Sequence, residues 1–372
     1  GRLAPGLAAR GVEVHVLTRG PAGMPAVSEV EGVVVHRVAE PPRPDHVARF
    51  VAWIERMNDH LLATGVRLAR DVDVDVDLVH GHDWVVARAA DRLASRLGCP
   101  LAMTVHATEH GRHRGWVGAP PQSHIHAVER RAIDRADRLI VCSDYMRGHL
   151  ADVFGVEESE VEVIANGVEP ARVGPGRRSR GGERLVLLAG RLVYEKGFQL
   201  AIDALPGLRR RVGPVRLVIA GAGMHEPELR AQVAALGLAG QVDFLGWVGP
   251  ALVEELYAAA DVCVVPSIYE PFGLVALEAM AHGCPCVAAD TGGLREVVPH
   301  GVAGLRFRAG DPASLEAMVA LVLGDRVLRE RLAAGAAAHV ARFDWAVVAA
   351  RTAGVYDALV RARRPAVLGP GQ

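Results

Sequence analysis

Short apolar runs separated by longer amphipathic stretches set the rhythm of this chain. In the first half the runs predict strands at Val12–Thr18, Val33–Val38, Val76–His80, Leu101–His106, Leu139–Cys142 and Val161–Ile164. In the second half they predict strands at Leu185–Ala189, Val215–Ala220, Val242–Leu245 and Val262–Pro266. Runs with so few polar interruptions suit strands buried on both faces, with helices in the intervening stretches to cover them. Strand–helix alternation implies right-handed βαβ crossovers and a parallel sheet in each half, an α/β fold. The chain opens on a short helical pattern, Gly1–Arg10, stopped by Gly11. A domain of this kind ordinarily opens with a strand and a glycine-rich turn, so the pattern reads as a domain entered one βα unit late. Three helical stretches close the sequence, and in the last, from Asp344 to about Val360, Trp345, Val348, Ala349 and Val355 share one face.

Between the halves, Asn166–Glu183 includes GPGRRSRGGE and has no apolar periodicity, the mark of a linker. The tract DVDVDVD at 71–77 has strand period but clustered like charge, and predicts a loop running into an edge, with a calcium site as the alternative. A length of 372 residues exceeds one ordinary core, so two domains are expected. Half the residues are hydrophobic and only 5% aromatic, which leaves Ala, Val and Leu to build the cores. Lys plus Arg is 42 against 43 Asp plus Glu, so no global field recruits nucleic acid or an anionic membrane. Cys99, Cys142, Cys263, Cys284 and Cys286 have no metal-site spacing and read as buried thiols of a reducing cytoplasm. No apolar run reaches the roughly 18 residues of a membrane span, and no signal peptide is evident, so a soluble protein is expected. The basic residues are 41 Arg and one Lys, Lys196. In so Arg-biased a chain a lone ammonium, a compact point charge that the planar guanidinium cannot copy, marks a position of chemical interest.

The motifs gather at predicted strand ends. GRLVYEKGF, residues 190–198, lies where a strand gives way to a helix, and there Arg191 and Lys196 add two cations to backbone amides that already suit an anion. A fork and a point charge together suit a diphosphate, the plain alternative being a surface ion pair with Glu195. In YEPFGLVALEAMAHGCPCVAADTGG, residues 269–293, Glu270 falls in a loop, Gly273 frees the backbone, and a helix begins near Leu274 with Glu278 about a turn on. Carboxylates accept from hydroxyls, so the pair suits a sugar or ribose, although a lone Glu278 also reads as a first-turn glutamate favoured by the helix dipole. Gly221-Ala222-Gly223 is only a partial dinucleotide fingerprint. Histidines crowd the first half at His80, His82, His106, His110, His113, His124 and His126. The spacing of His106, His110 and His113 offers a metal site, but substrate binding by strand-end histidines and ordinary loop roles for the rest fit the pattern better.

Taken in order, Asn166-Gly167-Val168, Arg191 with Lys196, Glu270 and Glu278 within EPFGL, Thr291-Gly292-Gly293 and His106 resemble the retaining family 4 glycosyltransferases of the GT-B fold, over nearly the whole chain. That group includes bacterial glycogen synthases and phosphatidylinositol mannosyltransferases. The resemblance implies two Rossmann-like domains facing a central cleft: an acceptor-binding domain at 1–168, a donor-binding domain at 169–343, and a helix at 344–372 crossing back to the first. It implies that Arg191 and Lys196 bind the donor diphosphate, Glu270 the sugar hydroxyls and Glu278 the ribose, and that His106 contacts the donor sugar. Phe272, Gly273 and Leu274 would offer backbone amides, Gly190, Gly221, Thr291 and Gly292 would complete the donor side, and His82 and Asp83 would lie on the acceptor side. It further implies transfer of glucose or mannose from an ADP-, UDP- or GDP-hexose, with no cofactor and no metal. His82-Asp83-Trp84 looks glycogen synthase-like and points to a glucan acceptor, while Arg112, Arg114, Arg130 and Arg131 keep a glycolipid acceptor and peripheral membrane contact open. The absence of the family's first strand and glycine loop keeps open a non-catalytic nucleotide-sugar-binding protein, and a sugar-nucleotide epimerase is a further alternative.

Overall fold

The computed structural model describes residues 2–21, 23–39, 44, 47–71, 75–169 and 182–363. They form two compact units, Gly1–Ala165 with Trp345–Gln372, and Asn166–Asp344.

The first unit runs α1 (Leu3–Ala8), β1 (Val14–Gly20), β2 (Val27–Val30), β3 (Val33–Ala39), α2 (Val47–Asp71), β4 (Val79–His82), α3 (Trp84–Leu97), β5 (Leu101–Val105), α4 (Glu109–Arg112), α5 (Gln122–Arg135), β6 (Arg138–Val141), α6 (Asp144–Phe154) and β7 (Val161–Val163). Two sheets result, β1-β3-β2 and the parallel β4-β5-β6-β7. β5 is buried at every position, as a strand covered on both faces must be. On α2, Trp53, Ile54, Met57 and Leu61 follow helical spacing and pack with Trp84, Ala89 and Leu93 of α3. The buried Asn58 between these helices gives its amide protons to Ile54 and Val85 carbonyls and accepts from the Ala89 amide, so no polar group is stranded there.

The second unit runs β8 (Arg184–Ala189), α7 (Phe198–Val212), β9 (Val215–Ala220), α8 (Glu226–Ala235), β10 (Val242–Gly246), α9 (Pro250–Ala259), β11 (Val262–Val265), α10 (Leu274–Ala281), β12 (Cys286–Ala289), α11 (Leu294–Val297), β13 (Leu305–Phe307), α12 (Pro312–Gly324) and α13 (Arg326–Val340). Its six strands are all parallel, in the order β10-β9-β8-β11-β12-β13. This is the doubly wound order, whose direction of winding reverses between β8 and β11. The last helix, α14 (Trp345–Arg363), belongs to the first unit: Val348 is buried with Ile140 and Ile164, and Leu3, Trp345 and Val355 pack around them.

Three strands escape the sequence pattern. β2 pairs antiparallel with β3, so the first unit is not wholly parallel. β12 follows an apolar helix without a change of periodicity, and β13 is only 3 residues long. β4 begins at Val79 rather than Val76 because its pairing with β5 starts only where Val79 donates to the Pro100 carbonyl. Of the linker and the aspartate tract, residues 170–181 and 72–74 lie outside the described residues. All five cysteines are buried free thiols.

Candidate active site

In a doubly wound sheet, ligands meet the carboxyl ends of the strands where the winding reverses. Here the loops after β8 and β11 close on each other at that point. After β8 the chain passes through Gly190 and the exposed Arg191 into a tight turn, Tyr194–Lys196, before Gly197 opens α7. Gly197 has φ 71°, and a Cβ there would stand 2.0 Å from the Pro266 carbonyl oxygen at the end of β11. Only glycine permits that approach. Gly221, at φ 150°, brings the loop after β9 equally close to the Gly190 carbonyl. The Ile268 amide donates to the Glu195 carbonyl at 2.8 Å and the Gly293 amide to the Glu270 carbonyl at 2.9 Å, tying the loops after β8, β11 and β12 into one mesh.

The mesh places Lys196 Nζ 2.7 Å from Glu270 Oε2, which also accepts from Ser267 Oγ at 3.0 Å. Lys196 therefore pairs with Glu270 and not with its sequence neighbour Glu195. Glu270 is 8% exposed and Ser267 1%. Among the described residues Glu270 Oε1 has no recorded partner and Arg191 no ion pair, so both remain available to a ligand.

Glu278 lies in the second turn of α10, not the first, which removes the dipole explanation for it. Tyr257 Oη donates to Glu278 Oε2 at 3.0 Å, and burial pushes the carboxyl pKa up, partly opposed by that bond. α10 starts at Leu274 behind Gly273, φ 118°, with no side chain capping its first amides. Phe272 is buried and meets Phe343 edge-on at 6.0 Å, so its ring is structural and only its backbone is offered. Thr291 Oγ1 donates to the Ile268 carbonyl at 3.4 Å, and Gly292 beside it has φ 49°. Ser267 and Tyr257 escape sequence reasoning, since a serine in a predicted loop and a tyrosine on an apolar helix carry no spacing signal. Exposed Tyr194, Met224 and Trp247 also stand at the carboxyl ends of β8, β9 and β10, and a large apolar side chain just past a strand end was the one clue to them.

A second cluster forms in the first unit at the ends of β4 and β5. Asp83 takes φ 61°, rare for a non-glycine residue, and its Oδ1 accepts from the His106 amide at 2.8 Å. His82 Nδ1 lies 3.1 Å from His106 Nε2 with the rings stacked. His80, behind them, is held by Thr104 Oγ1 at 2.7 Å and by Tyr356 Oη of α14 at 2.6 Å. His82 keeps solvent contact at its edge, yet crowding by protein atoms and then His106 lower its pKa to about 4. Burial drives His80 well down too, so His80 and His82 stay neutral above mildly acid pH. The structure therefore joins His82, Asp83 and His106, with His80 behind them, and the remaining histidines find other partners. His113 turns to Glu109 at 3.1 Å, His124 to Glu55 at 3.6 Å, and the His110 ring lies tilted against those of His126 and His149. Arg112, Arg130 and Arg131 face Glu109, carbonyls of α6 and Asp91 respectively. Among the described residues no helix is long and apolar enough to cross a membrane.

Two family descriptions match the chain, Glycosyltransferase Family 4 over residues 1–172 and Glycosyl transferases group 1 over residues 175–339. The chain is 40% identical over 374 residues to a glycogen synthase of Mycobacterium tuberculosis, covering 97% of this chain and 90% of that one. It is 31% identical to a D-inositol 3-phosphate glycosyltransferase of Nocardia farcinica, covering 93% and 80%. Sucrose-phosphate synthase from Thermosynechococcus elongatus superposes with a TM-score of 0.83 at 24% identity, covering 97% and 92%, a likeness of fold.

Proposed function

Because this chain belongs to the family 4 glycosyltransferases, of GT-B fold, we propose that it is a retaining hexosyltransferase that moves glucose or mannose from a nucleotide diphosphate sugar to a glucan, oligosaccharide or glycolipid hydroxyl. The observation that carries this reading is the Lys196 ammonium fixed 2.7 Å from Glu270 at the reversal point of the second sheet. In the reaction the bond from the anomeric carbon to the diphosphate oxygen breaks, and its electron pair stays on that oxygen. The acceptor hydroxyl oxygen bonds to the same face of the carbon, and its proton passes to the departing diphosphate. Charge grows on the leaving oxygen, so cations already in place favour the transition state over the ground state. Lys196 and Arg191 supply them. Glu270 Oε1 accepts a sugar hydroxyl, Glu278 accepts from the ribose, and the uncapped amides at Gly273 and Leu274 face phosphate. His82 and Asp83 serve the acceptor side, and His106 contacts the donor sugar. The five buried thiols support a reducing compartment, the cytoplasm.

The test incubates the full chain with ADP-, UDP- and GDP-linked glucose and mannose against glucans, inositol phosphate and glycolipids. Nucleoside diphosphate release that rises with acceptor, giving a product with the donor's anomeric configuration, is expected. Donor consumption without acceptor, or an inverted product, contradicts the reading.

A further inference from the structure

Along the same carboxyl edge of the second sheet, toward its β13 side, a cavity of about 490 Å3 opens past β12 and β13. It is lined by Asp290, Arg295, His300, Arg306 and Arg308. Three guanidiniums converge there on too few carboxylates. Arg295 Nε and Arg306 Nε both approach the same oxygen, Asp290 Oδ1, at 3.2 and 3.0 Å. Arg308 pairs with Asp311 at 2.9 Å, so one positive charge is left over before His300 is considered. Arg306 is pinned by donating to the carbonyls of Arg295 and Val298, and its Nε, although near Asp290, is buried without a hydrogen bond. A buried guanidinium N–H left unmatched costs free energy that a strong acceptor entering the cavity would recover. Arg295 spends only Nε and one terminal nitrogen, both on Asp290, and Arg308 only one terminal nitrogen, so N–H donors remain on both.

From this arrangement we propose a second anion site that takes a small organic phosphate monoester. Guanidinium forks match the paired oxygens of a phosphate dianion, and the cavity volume falls in the range of small-metabolite sites. β12 and β13 are two and three strands from β8, roughly 10 to 15 Å at ordinary strand spacing. The site is thus separate from Lys196, and it stands whether or not the transfer reading holds.

The test measures binding of a hexose 6-phosphate, a hexose 1-phosphate and inorganic phosphate to the full chain by calorimetry. It is repeated with saturating nucleoside diphosphate and in Lys196→Ala. A hexose phosphate should bind at least 10-fold tighter than inorganic phosphate, and that binding should survive both conditions. It should weaken at least 10-fold in Arg295→Gln/Arg308→Gln. Those side chains are 62% and 80% exposed, so the double variant keeps its fold, and Arg308→Glu alone should weaken binding in the same direction. Displacement by the nucleotide, loss in Lys196→Ala, equal binding of inorganic phosphate, or an unchanged affinity in both arginine variants overturns the proposal.

Discussion

Lys196 and Glu270 are each other's main charge partner, with side chains 21% and 10% exposed. Removing the lysine leaves a nearly buried carboxylate with, among the described residues, only Ser267 to satisfy it. Lys196→Ala should cost about 1–3 kcal/mol in urea unfolding, less than a fully buried pair because Lys196 retains solvent contact. Lys196→Ala/Glu270→Gln should regain most of that loss, and a double variant no more stable than Lys196→Ala would show that the pair is not coupled. Tyr257, 2% exposed, has Glu278 as its recorded side-chain hydrogen-bond partner. Losing one bond of about 1 kcal/mol, Tyr257→Phe should raise the donor KM roughly 5-fold with kcat nearly unchanged. A kcat that falls in step would place Glu278 in the transition state instead. At this scale the sequence carries the charged residues, because Lys196, Glu270 and Glu278 stand in recognisable motifs. It does not carry Ser267, Tyr257 or Tyr356, whose meaning comes only from what they touch across 3, 21 and 276 residues of chain.

The elements that hold the site depend on backbone as much as on side chains. Gly197 combines a positive φ with a close approach to Pro266, so Gly197→Ala should destabilise the second unit by more than about 2 kcal/mol and abolish transfer. A thermal melt and an activity assay decide it, and a variant that melts like wild type would mean the turn has room to relax. The turns after β8 and β11 are legible because glycines, a lysine and carboxylates cluster at a change of periodicity. β12 and β13 are not, since an apolar helix and short buried strands share one hydrophobic texture. Helix α5 carries a different sensitivity. Glu129, 4% exposed, accepts the Glu109 amide at 2.8 Å, and burial pushes its pKa up to about 8 despite that bond. Its folded pKa is above the unfolded 4.5, so its contribution is full below 4.5 and lost as pH rises through about 8. Against the opposing histidine contribution, Glu129→Gln should remove a component that falls with rising pH, so the variant's first-unit stability should gain on wild type steadily between pH 5 and 8, and a constant difference between the two would contradict the assignment.

For the molecule as a whole, the two units should respond differently to acid and to truncation. His82 and His149, both with pKa values lowered to about 4, take up protons in the unfolded chain from near 6.5 downward while the folded first unit refuses them. Stability of that unit should therefore fall between pH 6.5 and 4, and amide exchange at pH 5 should speed up in β4, β5 and α6 before β8 to β13. α14 closes the first unit through Val348, Ala349 and the Tyr356–His80 bond. Ending the chain at Asp344 exposes Ile140 and Ile164, so exchange in β6 and β7 should rise. An unchanged first unit in that variant would contradict the packing.

Catalysis by the Lys196 ammonium is tested most directly by turnover at saturating donor in the full chain, compared among wild type, Lys196→Ala and Lys196→Arg. If Lys196 stabilises the departing diphosphate, Lys196→Ala should fall by about two orders of magnitude or more, and Lys196→Arg should stay well below wild type because a planar fork cannot occupy the point held by the ammonium. Turnover in Lys196→Ala equal to wild type would contradict the donor site built on residues 190–198.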